Sequence, residues 1–403
     1  MDKKYHLAAT FLLVFAIVTV QAVGQTASVK TETPNTTSNE TNTSEKAYDL
    51  TGYQGIRLYE ENRTIYLDSI GLKQKIGLMT ETWRLNSGRI SQDDVMGGFH
   101  LGGLGSREST MEVIHNYSQG RPIEPLVSMD MEGCGNPISG FMKSKSLDEI
   151  KNVSSARRLG EKHGSHLRKI GVDINYAPVL DVNDTIWKCR SFEGDYRETA
   201  EKGCAYIRGL QSEGVMATAK HFPGETLTGK DPHNKIKHVN LTKEDTYPFR
   251  KAVECNVSAI MISHQITTGV IDSNGKPASV SRNVVRTLRE EYGFKGLIVT
   301  DAINMGGIDK YYESEKKKYL ALFRAGNDFI LNLAGNEQDK KEMVKFVAQA
   351  VRSGKLDKSK IDRSVTRLLN ARGWTVVTED DNRTRVYRPG RLPGPTNINS
   401  LKE

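Results

Sequence analysis

The chain has 403 residues, with 57 Lys and Arg against 49 Asp and Glu, a net charge of +8, and 37% hydrophobic residues. That length suits one large globular domain, and the modest charge, spread over solvated helix faces and the C-terminal tail, argues against a nucleic-acid module. Four cysteines with no Cys-x-x-Cys pair argue against a zinc site.

Residues 1–24 read as a targeting segment, in which Lys3 and Lys4 precede an apolar run over 7–24 with small residues near its end. The run is long enough for an uncleaved membrane anchor as well as a cleaved signal peptide, and the cleaved signal is the favoured reading. Residues 25–47 are rich in Thr, Ser, Asn and Glu, have too little apolar surface to bury a core, and read as a disordered linker. Asn35, Asn39, Asn42, Asn62, Asn116, Asn152, Asn183, Asn240, Asn256 and Asn382 each open an Asn-x-Ser/Thr triplet, an excess that points to a glycosylating export route. The folded domain is expected over 48–373, followed by a basic extension over 374–403. In an exported chain Cys134, Cys189, Cys204 and Cys255 can pair, with the connectivity open.

Within the domain, short apolar runs end in polar residues. The run at 125–129 leads to Asp130 and Glu132, that at 172–180 to Asp181, and that at 214–219 to Lys220 and His221. Further on, 259–262 leads to His264, 296–300 to Asp301, and 327–331 to Asn332. Helical spacing fills 154–170, 198–214, 243–255 and 282–292. Short apolar strands alternating with helices predict an α/β fold with a covered parallel sheet. Polar residues at so many strand ends predict a closed (β/α)8 TIM-type barrel with its site on that face. An open doubly wound sheet would carry a Gly-rich phosphate loop after its first strand; Gly97-Gly98 and Gly102-Gly103 lack that setting and read as a turn.

Lys220 and His221 leave one strand end together, and the loop after Pro223-Gly224 ends in Asp231-Pro232-His233. A lone His is usually structural. Two His, a Lys and an Asp on one strand end and loop point instead to chemistry: cations that grip hydroxyls, and an Asp-supported His that moves protons. Asp301 would be delivered to the barrel mouth, where a carboxylate can attack an electrophilic carbon, the bland alternative being a helix N-cap. Asp130 can accept hydrogen bonds from substrate hydroxyls, Glu132 can support the mouth, and Arg190 either holds a polar group or lies on the surface. With no metal-ligand spacing, neither a metal nor a cofactor is expected. A sugar fits this set, because displacement at an anomeric carbon needs a nucleophile and a proton donor, roles open to Asp301 and His233.

The ordered motifs resemble glycoside hydrolase family 3, in its β-N-acetylhexosaminidase (β-N-acetylglucosaminidase) branch, over residues 68–373. They include Leu-Val-Ser-Met-Asp-Met-Glu-Gly at 126–133, Tyr-Ala-Pro-Val-Leu-Asp-Val at 176–182, Arg-Ser-Phe at 190–192 and Ala-Lys-His-Phe-Pro-Gly at 219–224. Asp-Pro-His at 231–233, Phe-Lys-Gly-Leu-Ile-Val-Thr-Asp at 294–301 and Gly-Lys-Leu at 354–356 complete the set. The resemblance implies retaining hydrolysis of terminal β-linked N-acetylglucosamine. Asp301 would be the nucleophile and His233, supported by Asp231, the acid/base. Asp130, Arg190, Lys220 and His221 would hold the sugar.

Two segments depart from the family pattern. The usual His-Gly-Asp-Thr after Pro-Gly is Glu225-Thr226-Leu227-Thr228 here. The family's Gly-Arg after Glu-Gly, with a second Arg three residues later, is replaced by residues 134–138, Cys-Gly-Asn-Pro-Ile, so one or two substrate-facing cations are missing. Cys134 and Cys189 both fall on expected mouth loops, where a disulfide between them is the hypothesis. The expected partner is an oligosaccharide, at the cell surface or outside it, with residues 7–24 as the alternative membrane tether and the oligomeric state open. The rival readings are a catalytically inactive glycan-binding barrel, or a β-glucosidase or phosphorylase of the same family.

Overall fold

A computed structural model describes residues 51–83, 95–182, 184–224, 236–333, 337–380 and 383–389. The expected targeting segment, the linker, Asp231, His233, and the triplets at Asn35, Asn39, Asn42, Asn183 and Asn382 lie outside the described residues. No helix among those described is long and apolar enough to cross a membrane.

Eight strands form a parallel barrel: β1 (Thr80–Trp83), β2 (Gly98–His100), β3 (Leu126–Met129), β4 (Ile174–Asn175), β5 (Met216–Phe222), β6 (Ala259–Ile262), β7 (Leu297–Thr300) and β8 (Ile330–Asn332). They pair in chain order from β1 to β7, and β8 pairs with β1. A bridge between Val299 and Phe329 closes the remaining gap between β7 and β8. Strands β3 to β8 are buried along their whole length, which is why they read as unbroken apolar runs.

Two strands are absent from that pattern. β1 spells Thr-Glu-Thr-Trp and sends polar groups inward. β2 begins at Gly98, so Gly97-Gly98 is a strand start and not the expected turn. A Cβ on Gly97 would meet the Leu78 carbonyl at 2.2 Å, and one on Gly98 the Leu126 carbonyl at 2.6 Å. Glycine is required there for neighbouring backbones to approach, and it removes the apolar signal of a strand.

The crossover helices begin at side-chain caps. Asn152 accepts from Ser155 N at 2.8 Å to open α1 (Val153–Lys169), and Asp195 accepts from Arg197 N at 2.8 Å to open α2 (Tyr196–Ser212). Thr242 opens α3 (Lys243–Glu254). α1 and α2 lie unusually close: a Cβ on Gly160 would sit 2.3 Å from the Tyr206 carbonyl, and one on Gly209 2.3 Å from that of Arg157.

The first part of the expected extension is built into the body. Trp374 is buried under the Arg63 guanidinium, and Thr375–Asp380 pairs with Thr64–Tyr66 on one side and Arg383–Tyr387 on the other. This side sheet joins the two ends of the domain beneath the barrel.

Candidate active site

The strand C-terminal ends surround a cavity of about 330 Å³, and Asp130, Arg190, Lys220, His221 and Asp301 all line it. Five of the seven expected site residues, drawn from four separate stretches of chain, therefore meet in one place. Asp231 and His233 lie outside the described residues.

Lys220 sits near the end of β5, almost fully buried, with its ammonium 2.7 Å from Asp130 Oδ1 and also bonded to Glu132 Oε1. Glu132 in turn takes the Arg190 guanidinium on both oxygens, from Nε at 2.5 Å and from Nη2 at 2.8 Å. Glu132 thus supports the mouth by orienting both cations, and Arg190 is anchored in the cavity wall rather than on the surface. Burial works to raise the Asp130 carboxyl, but Lys220 and His100 outweigh it and hold it far below the ordinary range. The Asp130 side chain stays 47% exposed to the cavity, so it can accept from an entering hydroxyl.

His221 is fixed from behind. Its Nδ1 lies 2.7 Å from Oδ2 of the fully buried Asp181, which orients the ring. The Lys220–His221 peptide is cis.

Asp301 directly follows β7. No helix begins at Ala302, and the next one starts only at Gly306, so the N-cap alternative does not hold. Its Oδ1 accepts from Ala302 N at 2.8 Å. Burial pushes this carboxyl up, yet His221, His264, the Ala302 N–H and Lys220 together hold it below its ordinary value. His264 is itself pinned between Ser279 Oγ at 2.7 Å and the Ala302 carbonyl at 3.1 Å, and burial pushes its ring toward the neutral form.

Sequence reasoning missed the groups behind Asp130. His100 ends β2 with Nε2 3.3 Å from Asp130 Oδ2 and Nδ1 2.7 Å from Ser128 Oγ. Glu81 on β1 accepts from Ser128 and from the Tyr176 hydroxyl. Both residues sit on the two strands whose apolar signal is absent; the only cue was polar residues between Leu78 and Leu101 at strand-like spacing.

The four cysteines pair as Cys134–Cys189 and Cys204–Cys255. The first is the expected bridge and ties the loop after Asp130 and Glu132 to the loop bearing Arg190. Where the family places its arginines, this chain has Gly135, which lines the cavity, and the fully buried Ile138. Among the described residues no group of three His, Cys, Asp or Glu is arranged to hold a metal ion.

Residues 92–371 match the family model described as "Glycosyl hydrolase family 3 N terminal domain". A β-hexosaminidase of Mycobacterium bovis is 30% identical over 306 residues, covering 69% of this chain and 77% of the relative. Among solved structures, a glycoside hydrolase family 3 β-N-acetylglucosaminidase from Paenibacillus sp. str. FPU-7 superimposes with a TM-score of 0.67 at 28% identity, over 74% of this chain and 61% of that one. A family 3 glycosyl hydrolase from Mycobacterium smegmatis gives 0.68 at 27% identity, over 75% of this chain and 97% of that one.

Proposed function

The chain belongs to glycosyl hydrolase family 3, enzymes that hydrolyse glycosidic bonds, and we propose that it is a retaining β-N-acetylhexosaminidase releasing terminal β-linked N-acetylglucosamine. The observation that carries this reading is Asp301, a carboxylate held below its ordinary pKa by His221, His264, the Ala302 N–H and Lys220 at the end of a barrel strand, facing a sugar-sized cavity lined by polar groups. The names of the β-hexosaminidase and β-N-acetylglucosaminidase relatives support the substrate class.

In this mechanism Asp301 attacks the anomeric carbon and forms a glycosyl ester, while His233, supported by Asp231, gives its proton to the departing oxygen. The neutral His233 then takes a proton from water, and the resulting hydroxide displaces Asp301. Asp130 and Lys220 offer an acceptor and a donor to sugar hydroxyls, with His221 and Arg190 completing the grip.

Two disulfides suit an oxidising compartment and so support export, with residues 1–24 as signal or anchor. The described triplet asparagines, Asn62, Asn116, Asn152, Asn240 and Asn256, are all exposed, which suits N-glycosylation.

The test is release of 4-nitrophenol from its β-N-acetylglucosaminide. Wild type is expected to turn over, and Asp301→Ala to lose at least about a thousandfold in kcat. A folded wild type that leaves this substrate intact, or an Asp301→Ala variant of full activity, would sink the reading.

A further inference from the structure

We propose that Glu81 is a positioning residue for the sugar site, acting through the Ser128 hydroxyl to decide whether the His100 ring nitrogen that faces Asp130, Nε2, carries a hydrogen. The inference rests on the reading of Asp130 as a sugar-holding carboxylate.

The contacts form an unbroken chain across three neighbouring strands. Glu81 on β1 is fully buried, with Oε1 on Ser128 Oγ and Oε2 on the Tyr176 hydroxyl. Ser128 on β3 lies 2.7 Å from His100 Nδ1, and His100 Nε2 lies 3.3 Å from Asp130 Oδ2. Tyr176 stacks on the His100 ring at 5.6 Å and Trp83 tilts against it at 5.2 Å, so the ring is clamped. The charged groups facing His100 are Glu81, Asp130 and Lys220.

A hydroxyl has one proton, and that restricts the states. With Glu81 ionised, Ser128 donates to Glu81 and accepts from His100 Nδ1–H, so an Nε2–H toward Asp130 requires the imidazolium. With Glu81 protonated, Glu81 donates to Ser128, Ser128 donates to His100 Nδ1, and the neutral ring carries its hydrogen on Nε2. The two states hold the same protons, moved one step along Ser128, and both point an N–H at Asp130. Loss of the shared proton leaves ionised Glu81 and a neutral ring with its hydrogen on Nδ1, which turns a lone pair on the Asp130 carboxylate. Burial pushes Glu81 up to about 7, and although burial lowers His100, Asp130 and Glu81 raise it above its ordinary value, so the couple keeps its proton near neutrality.

The test is 15N NMR of histidine-labelled enzyme from neutral to alkaline pH, with His100 assigned by its absence in His100→Gln. N-acetylglucosamine affinity is measured in parallel by calorimetry. In wild type, Nε2 is protonated at neutral pH, the ring converts to the Nδ1–H form as pH rises, and affinity falls roughly tenfold with it. In Glu81→Gln the amide donates to Ser128 as the protonated carboxyl does and cannot lose that hydrogen, so the ring keeps Nε2–H and the alkaline fall disappears. Ser128→Ala cuts the link and likewise abolishes the conversion. An Nδ1–H ring in neutral wild type, or the same titration in wild type and both variants, overturns the proposal. If the ring behaves as expected but N-acetylglucosamine does not bind wild type, the couple stands and the sugar reading falls.

Discussion

At the N-terminal ends of the barrel strands, Asp328 is fully buried and each of its oxygens takes two protein donors. Oδ2 accepts from Ile298 N at 2.8 Å and from Arg289, and Oδ1 from Ser364 Oγ at 2.8 Å and Arg367 at 3.1 Å. Nearby, the buried Arg372 gives its hydrogens to the carbonyls of Glu124, Leu368 and Gly97. At the opposite ends, Asp130 is paired with Lys220 and His100 yet remains open to the cavity, and Asp301, flanked by His221, His264 and Lys220, is partly exposed. Both faces hold acids against bases. One saturates its charges with the protein itself and so stabilises the barrel floor; the other leaves carboxylate oxygens available, which is the condition for binding and attack.

That contrast can be broken by substitution. The largest effect is expected from Asp328→Ala, which leaves the part-buried Arg289 and the buried Ser364 hydroxyl and Ile298 N–H without their carboxylate: urea denaturation should show a loss of about 3–5 kcal/mol, with KM unchanged in the protein that remains folded. A variant of full stability would remove the distinction between the two faces. Lys220→Met should act in the other sense, lowering kcat/KM by about a hundredfold with a smaller loss of stability, because it removes the donor shared by Asp130 and Glu132. Equal losses in both quantities would make Lys220 a structural residue.

The disulfides sharpen the comparison at lower amplitude. Cys134→Ser/Cys189→Ser releases the loops that carry Glu132 and Arg190, and is expected to raise KM roughly tenfold through misplacement of the grip. Cys204→Ser/Cys255→Ser unlinks α2 from the end of α3, and should lower Tm while leaving KM as it was.

The smallest effect concerns pH. Asp301 has a folded pKa below its ordinary value, so the native state binds fewer protons here than the unfolded chain, and its ionisation stabilises above the unfolded pKa. The stability difference between wild type and Asp301→Asn should therefore be flat from pH 7 to 5 and shrink only below about pH 4. A wild-type stability that instead rises relative to the variant as pH falls from 7 to 5 would mean a raised pKa, unsuited to a standing nucleophile.

Much of this site is legible in the sequence. Asp130, Lys220 and Asp301 each close an apolar run, and a strand that ends in a charge exposes that charge where the barrel opens. Glu132, Asp181, Arg190 and His221 are visible in the sequence too, but the pairing of Glu132 with Arg190 and of Asp181 with His221 came only with the fold, because the partners lie 58 and 40 residues apart. Gly97-Gly98 was misread because glycine serves close backbone approach and carries no apolar signal.

The sequence by itself determined the barrel, the family, and the residues gathered at its mouth, since periodicity and motif order are local properties of the chain. The tertiary structure alone decided the couple of Glu81, Ser128 and His100 behind Asp130 and the saturation of Asp328. Those depend on which strands become neighbours and how deeply each group is buried, and burial sets both the cost of a charge and the partners available to meet it.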